Sequence, residues 1–316
     1  MQYFPWILLL VHVAILLCID FLVFSAKGRQ KTKKRAVYET LFFIFNAIAF
    51  SGIVYWMYST NHIDNINQLT PTESVVKFVT GYLIELSLSV DNLFVIAIIF
   101  ATYKIPQKHQ HRLLFLGIVG AIVFRAALIG AGLILVHKIH SITIFFGLFL
   151  LYTAFKMLKK EEEHPEPPEP KGLAKWLNVT KIIDGNKFRT VHKGKKVFTA
   201  LFGALITIEV TDLLFALDSI PAIFAVTTDP FIVFSSNIFA IMGLRSMYFF
   251  LANMLDKFSY LKYSVFAILL FVGLKLIAAN WFTFPEWFSL LFIALALSAG
   301  VWVSILKINR ETNSSK

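Results

Sequence analysis

Nine apolar runs follow one another along this 316-residue chain, at about 5–25, 37–58, 76–101, 113–136, 141–158, 197–226, 231–255, 261–279 and 285–306. Each approaches the roughly 20 residues a helix needs to cross a hydrocarbon layer about 30 Å thick. The pattern therefore predicts an all-α membrane protein with about nine transmembrane helices. Most of the breaks are short and polar: KGRQKTKKR (27–35), STNHIDNINQLTPTES (59–74), YKIPQKHQHR (103–112), TTDP (227–230) and FPEW (284–287). The longer interruption, 159–196, opens on KKEEEHPEPPEP, a charged and proline-rich strip that cannot bury a core and reads as a cytoplasmic linker. Beyond it, TKIIDGNKFRTVHKGKK (180–196) predicts a small β-hairpin turning at Gly185-Asn186.

Composition supports this reading. An apolar content of 57% with 16% aromatic residues excludes an ordinary soluble domain. The start, MQYFPWILLL, lacks a basic leader and a small-residue cleavage site, so it reads as a retained first span. A net charge of +11 in a soluble domain would point to nucleic acid, but here the charge alternates with topology. The segments 27–35, 104–112, 159–196, 257–262 and the tail carry 24 of the 30 Lys and Arg residues, whereas the opposite side has only Lys77 and Lys138. By the positive-inside rule the amino terminus is outside and the carboxyl terminus cytoplasmic, with no nucleic-acid partner needed. The single cysteine, Cys18, permits neither an internal disulfide nor a thiolate metal site.

Against this apolar background, carboxylates stand out in two stretches. GYLIELSLSVDNLFV (81–95) holds Glu85 and Asp91, and ALITIEVTDLLFALDSIPA (204–222) holds Glu209, Asp212 and Asp218. Each costs roughly 2.5–3.5 kcal/mol near the middle of a membrane unless something compensates it. The pairs Glu85/Asp91 and Asp212/Asp218 share a six-residue separation, and each is followed in the same order by an arginine and a lysine: Arg125 then Lys156, and Arg245 then Lys275. FLLYTAFK (149–156) matches ILLFVGLK (268–275). Two copies of three spans imply a 3+3 inverted-topology repeat, because an odd number of spans turns the second copy over. The chain then divides into two N-terminal spans with an outer loop (1–75), a first three-helix unit (76–158), the linker (159–196), a second unit (197–280), and a ninth span with a cytoplasmic tail (281–316).

Inverted repeats hold ions near the midplane, often where a helix is interrupted. Pro221 lacks the N–H that would bond the Leu217 carbonyl, so a helix break at Leu217 and Pro221 is expected there. On an unbroken helix, Asp212 and Asp218 lie about 120° apart. Five acids against four bases leave negative charge for protons or a bound cation to neutralise. Carboxylate, amide and carbonyl oxygens without thiolate suit Mn²⁺, Mg²⁺ or Ca²⁺. The expected metal ligands or proton carriers are Glu85, Asp91, Asn92, Glu209, Asp212 and Asp218, with Arg125, Lys156, Arg245 and Lys275 holding the acids when no ion is bound. Ser87, Ser89, Thr211, Ser219 and Asn237 are secondary candidates. The expected activity is export of a divalent cation, with protons as counter-ion and without a resident cofactor. An intramembrane aspartyl enzyme is disfavoured, since arginines would depress the raised pKa that one acid needs. A non-transporting scaffold, its buried charges serving as salt bridges, is the alternative.

The motifs ELSLSVDNLFV and EVTDLLFALDSIPAIFAVTTDPFIVFSSNIFAIMGLR resemble the TerC/Alx family of integral membrane proteins, and the likeness runs from about 38 to 307. That resemblance implies a multi-span inner-membrane protein of manganese export, linked to tellurite resistance and alkaline response and distantly similar to LysE-type exporters. It also implies that the family's intramembrane acids fall here on Glu85, Asp91, Glu209, Asp212 and Asp218, and it narrows the cation to manganese(II), with Ca²⁺ or Mg²⁺ behind it.

Overall fold

The computed structural model describes residues 3–24, 33–138, 142–159, 179–192, 194–251, 261–278, 282 and 285–314; within these, the side chains of Asp91 and Arg245 lie outside the description. Among the described residues the chain is mostly helical. The long helices are α1 (Phe4–Ile19, continued as a π-helical turn to Phe24), α2 (Lys33–Ser59), α3 (Pro71–Thr102), α4 (Gln107–Lys138), α5 (Ile142–Lys159), α6 (Ala200–Phe224), α7 (Pro230–Leu251), α8 (Leu261–Ala278) and α9 (Glu286–Ser314). Six, namely α1, α2, α4, α6, α7 and α9, are long and apolar enough to cross a membrane. The others, α3, α5 and α8, coincide with the remaining apolar runs.

Local chemistry sets several boundaries. Thr70 and Glu73 form a reciprocal capping box, so α3 starts five residues before its apolar run. The Asp229 carboxylate accepts the backbone N–H groups of Phe231 and Ile232 at 3.0 and 3.1 Å, satisfying donors that the start of α7 would otherwise leave unpaired.

The hairpin forms one turn later than its sequence implies. Strands β1 (Arg189–His192) and β2 (Lys195–Phe198) pair antiparallel and close after His192, with Gly194 at φ +76°. Gly185-Asn186 makes a separate turn just before them, closed by Lys187 N–H donating to the Asp184 carbonyl at 3.0 Å. Both turns have a glycine at positive φ, so that signal alone could not choose between them. Thr190 Oγ1 donates to Asp184 at 2.8 Å and, with Lys187 nearby, holds that carboxyl below the usual carboxylate range.

Contacts along the helices give their directions. Gly81 of α3 packs near Ile223 of α6 while Tyr103 bonds Thr207, so these helices are antiparallel. Gln110 and Arg125 of α4 meet Tyr248 and Asn237 of α7, again antiparallel. Gly147 of α5 meets Gly273 and Ile277 of α8 while Phe155 meets Phe266, and these too are antiparallel. Outside this centre, α1 and α2 lean on α3 and α7 through a ring cluster in which Phe50 stands 4.5 Å from Phe239, and α9 covers α8 and α3.

Candidate functional site

Arg125 stands near the middle of α4, 1% exposed, with too much helix on either side for its guanidinium to reach water. Its fork is filled from three other helices. Asp212 of α6 takes it side-on, Nη2 to Oδ1 at 2.9 Å and Nε to Oδ2 at 3.2 Å. Glu85 of α3 pairs with Nη1. The same nitrogen reaches Asn237 Oδ1 of α7 at 3.1 Å and Ser219 Oγ of α6 at 3.4 Å. Glu85 is held in turn by Asn237 Nδ2 at 3.0 Å and Ser89 Oγ at 3.1 Å. A planar guanidinium with bidentate geometry is the cation best suited to bind two desolvated carboxylates at once. One positive charge faces two negative ones, so the cluster carries excess acid.

Beside it are oxygen donors with no such partner. Glu209 lies three residues before Asp212, and its Oε2 is buried without a hydrogen bond among the described residues. Its carboxylate rests on the backbone of Gly120, in the space a Cβ there would occupy. The buried amide of Asn92 likewise has an unpartnered Oδ1. Asn92, Thr211 and Asp212 are the polar points on an otherwise apolar cavity of about 40 Å³ between α3, α4, α6 and α7. That volume exceeds the roughly 10–15 Å³ one water requires. The cavity lies between Arg125 and the end of the bundle that carries the hairpin, with Gly117 and Ile208 in its wall.

The remaining expected residues lie apart. Asp218 accepts from Thr153 Oγ1 of α5 at 3.2 Å, on a different face of α6 from Asp212. The expected break at Leu217 and Pro221 is absent: α6 is helical throughout Ala200–Phe224 with Pro221 inside it. Pro221 falls in the last turn, where the loss of one N–H leaves the rest of the ladder intact. With the helix unbroken, the two aspartates diverge. Lys156 is exposed, with Nζ 5.8 Å from the Tyr152 ring and its charge within electrostatic reach of Asp218, and Lys275 Nζ bonds Ser289 Oγ of α9 at 2.9 Å. Among the described residues, no three His, Cys, Asp or Glu side chains form a metal-holding group, so the expected convergence of all the acids is not seen.

Comparison with known proteins places this architecture. A family model described as integral membrane protein TerC family matches residues 70–312. The chain belongs to the TerC family of integral membrane proteins. An uncharacterised membrane protein of Myxococcus xanthus is 42% identical over 312 residues, 98% of this chain and 94% of that one. One from Rickettsia felis is 38% identical over 307 residues, covering 96% and 98%. Alx of Escherichia coli K12, whose name casts it as a candidate membrane-bound redox modulator, is 38% identical over 309 residues, covering 96% and 93%. No solved structure matches.

The TerC match begins at the cap of α3 and takes in every residue of the Arg125 cluster. Sequence reasoning ranked Ser89, Ser219 and Asn237 of this TerC chain as secondary, and they turn out to complete the cluster. It missed Thr153, since a lone threonine on an apolar helix carries no signal. Gly120, which has no side chain to signal a role, was not among the expected site residues either. In fact Gly120 leaves the room in which the Glu209 carboxylate sits, so Gly120→Val should displace that group and lower the unfolding temperature, while Gly130→Ala, facing open space, leaves it unchanged. Thermal unfolding of the two variants in detergent checks this.

Proposed function

We propose that this TerC-family chain exports a divalent cation, manganese(II) foremost, in exchange for protons, through a path that passes the Arg125 cluster. The observation that carries the reading is an excess of oxygen donors: a buried arginine already claimed by Glu85 and Asp212 stands beside Glu209 and Asn92, whose Oε2 and Oδ1 have no hydrogen bond among the described residues. These are hard donors, of the kind that Mn²⁺, Mg²⁺ and Ca²⁺ prefer. The guanidinium acts as a tethered stand-in cation, and an arriving ion competes with it for Glu85 and Asp212. Asp91 and Asp218 serve a second position on the path.

The 3+3 inverted repeat is supported by the helix directions, since α3, α4 and α5 each run antiparallel to the corresponding α6, α7 and α8. Nine spans, with the amino terminus outside and the basic hairpin in the cytoplasm, fit the charge distribution of an inner-membrane protein. A redox effect of the kind named for Alx would reach this chain through the metal content of the cell, because its one cysteine offers no dithiol. The scaffold reading is favoured by one feature, that every nitrogen of the Arg125 fork already has an acceptor.

The test is elemental analysis of manganese in cells carrying the protein, Asp212→Asn or Asp218→Asn at equal membrane abundance. The unaltered chain should lower cellular manganese and each variant leave it at the level of cells without the protein. Full export by both variants overturns the assignment.

A further inference from the structure

The level of Arg125 divides the bundle into two halves that are packed differently. On the hairpin side is the cavity, with Gly117 and Ile208 in its wall. On the opposite side the backbone of Gly81 lies directly against Ser236, so close that a Cβ on Gly81 would stand 2.8 Å from Ser236 Oγ and 3.3 Å from its Cβ. Ser236 is fully buried there, its hydroxyl turned back to the Val233 carbonyl of its own helix. One turn farther out, Lys77 Nζ donates to the Val226 carbonyl at 3.0 Å and ties α3 to the turn between α6 and α7.

These two places correspond. Matching Glu85 to Asp212 puts Gly81 where Ile208 stands in the second unit, and matching Arg125 to Arg245 puts Gly117 where Asn237 stands, next to Ser236. The contact of Gly117 with Ile208 and the contact of Gly81 with the Ser236–Asn237 segment are thus one contact in two copies. Each has a glycine on one side, which lets two helices approach without a Cβ between them. Both are close, a Cβ on Gly117 standing 3.3 Å from Ile208 Cγ2, but the Gly117–Ile208 copy borders the cavity whereas Gly81 lies directly against Ser236. When two related units adopt different packings, exchanging the packings gives a second state of similar energy that opens toward the other face.

We propose that Gly81 and Ser236 form the outer gate of the transport path, closed in this structure, and that opening it closes the cavity bordered by Gly117 and Ile208 on the hairpin side. This rests on the transport reading above and adds how access to the site alternates. The inner counterpart of the Lys77 tie is the bond between Tyr103 and Thr207 at 3.1 Å, beside which Val179, bridged to Phe198 at the end of β2, packs on Gly203.

The experiment uses the full chain with Cys18→Ser, since Cys18 is exposed. Ser236→Cys is treated in intact cells or spheroplasts with a membrane-impermeant maleimide. It should label slowly, and adding Gly81→Val, which props the gate open, should raise labelling about tenfold or more. In the pair Gly81→Cys with Ser236→Cys, whose Cβ separation of 3.3 Å is just under that of a disulfide, oxidation should cross-link the helices and stop manganese export, and a reductant should restore it. Gly81→Ala, a milder wedge, should give intermediate labelling if the valine variant does not reach the membrane. Unchanged labelling in every Gly81 variant that reaches the membrane, or full export by the cross-linked chain, overturns the gate. Failure of the unaltered chain to move manganese would count against transport itself, while the labelling pattern still decides whether this contact opens.

Discussion

Arg125→Met should destabilise the protein by roughly 3–5 kcal/mol, because it leaves Glu85 and Asp212 as buried charges with no partner. Both acids would have to take up protons or draw in water, and the four helices that meet at the guanidinium would lose their shared anchor. Thermal unfolding in detergent and membrane abundance measure the loss. Arg125→Lys should recover part of the stability, since a lysine restores the charge but not the fork that engages Asp212 through two nitrogens. The informative variant is the triple Glu85→Gln, Arg125→Met, Asp212→Asn. Removing a buried charge cluster as a whole is far less damaging than removing one partner, so abundance and unfolding temperature should return toward normal. Manganese export should not return. If it does, the cluster is a strut and the transport site lies elsewhere.

The second large effect is expected at the contact between α5 and α8. A Cβ on Gly147 would stand 2.6 Å from Ile277 Cγ1 and 2.8 Å from the Gly273 carbonyl oxygen, and a backbone oxygen cannot swing aside as a side chain can. Gly147→Leu should therefore part α5 from α8 and cost at least the roughly 1–3 kcal/mol typical of overpacking. Gly52 on α2 has nothing within 4 Å of the same position, so Gly52→Ala should be neutral or stabilising by up to about 1 kcal/mol. Parallel unfolding curves of the two variants check the pair. Equal stability would mean that the α5–α8 contact is not a tight seam.

The places of the helices were legible in the sequence because burial in lipid demands long apolar runs, and each of the nine runs coincides with a helix. Their ends were less so. The start of α3 was set by Thr70 and Glu73, residues that looked like ordinary loop polarity until the helix gave them N–H groups to bond. The hairpin was foreseen with its turn misplaced, since two glycine turns nine residues apart gave equal signals. Pro221 was overread: a proline's effect depends on where in the helix it falls, and in a last turn it interrupts little.

Within the candidate site, residue order alone tells that five carboxylates and a central arginine lie among apolar runs, and that an arginine so placed must meet acid. That follows from the cost of desolvation, which depends on residue type and position in a span and on little else. Which acids it meets was decided by tertiary structure alone. Asp212 and Asp218 differ by six residues on one unbroken helix, so the packing of α4 on one face and α5 on another sends the first to Arg125 and the second to Thr153. Side-chain direction around a helix is known from spacing, but the neighbour on each face is a property of how the helices share space.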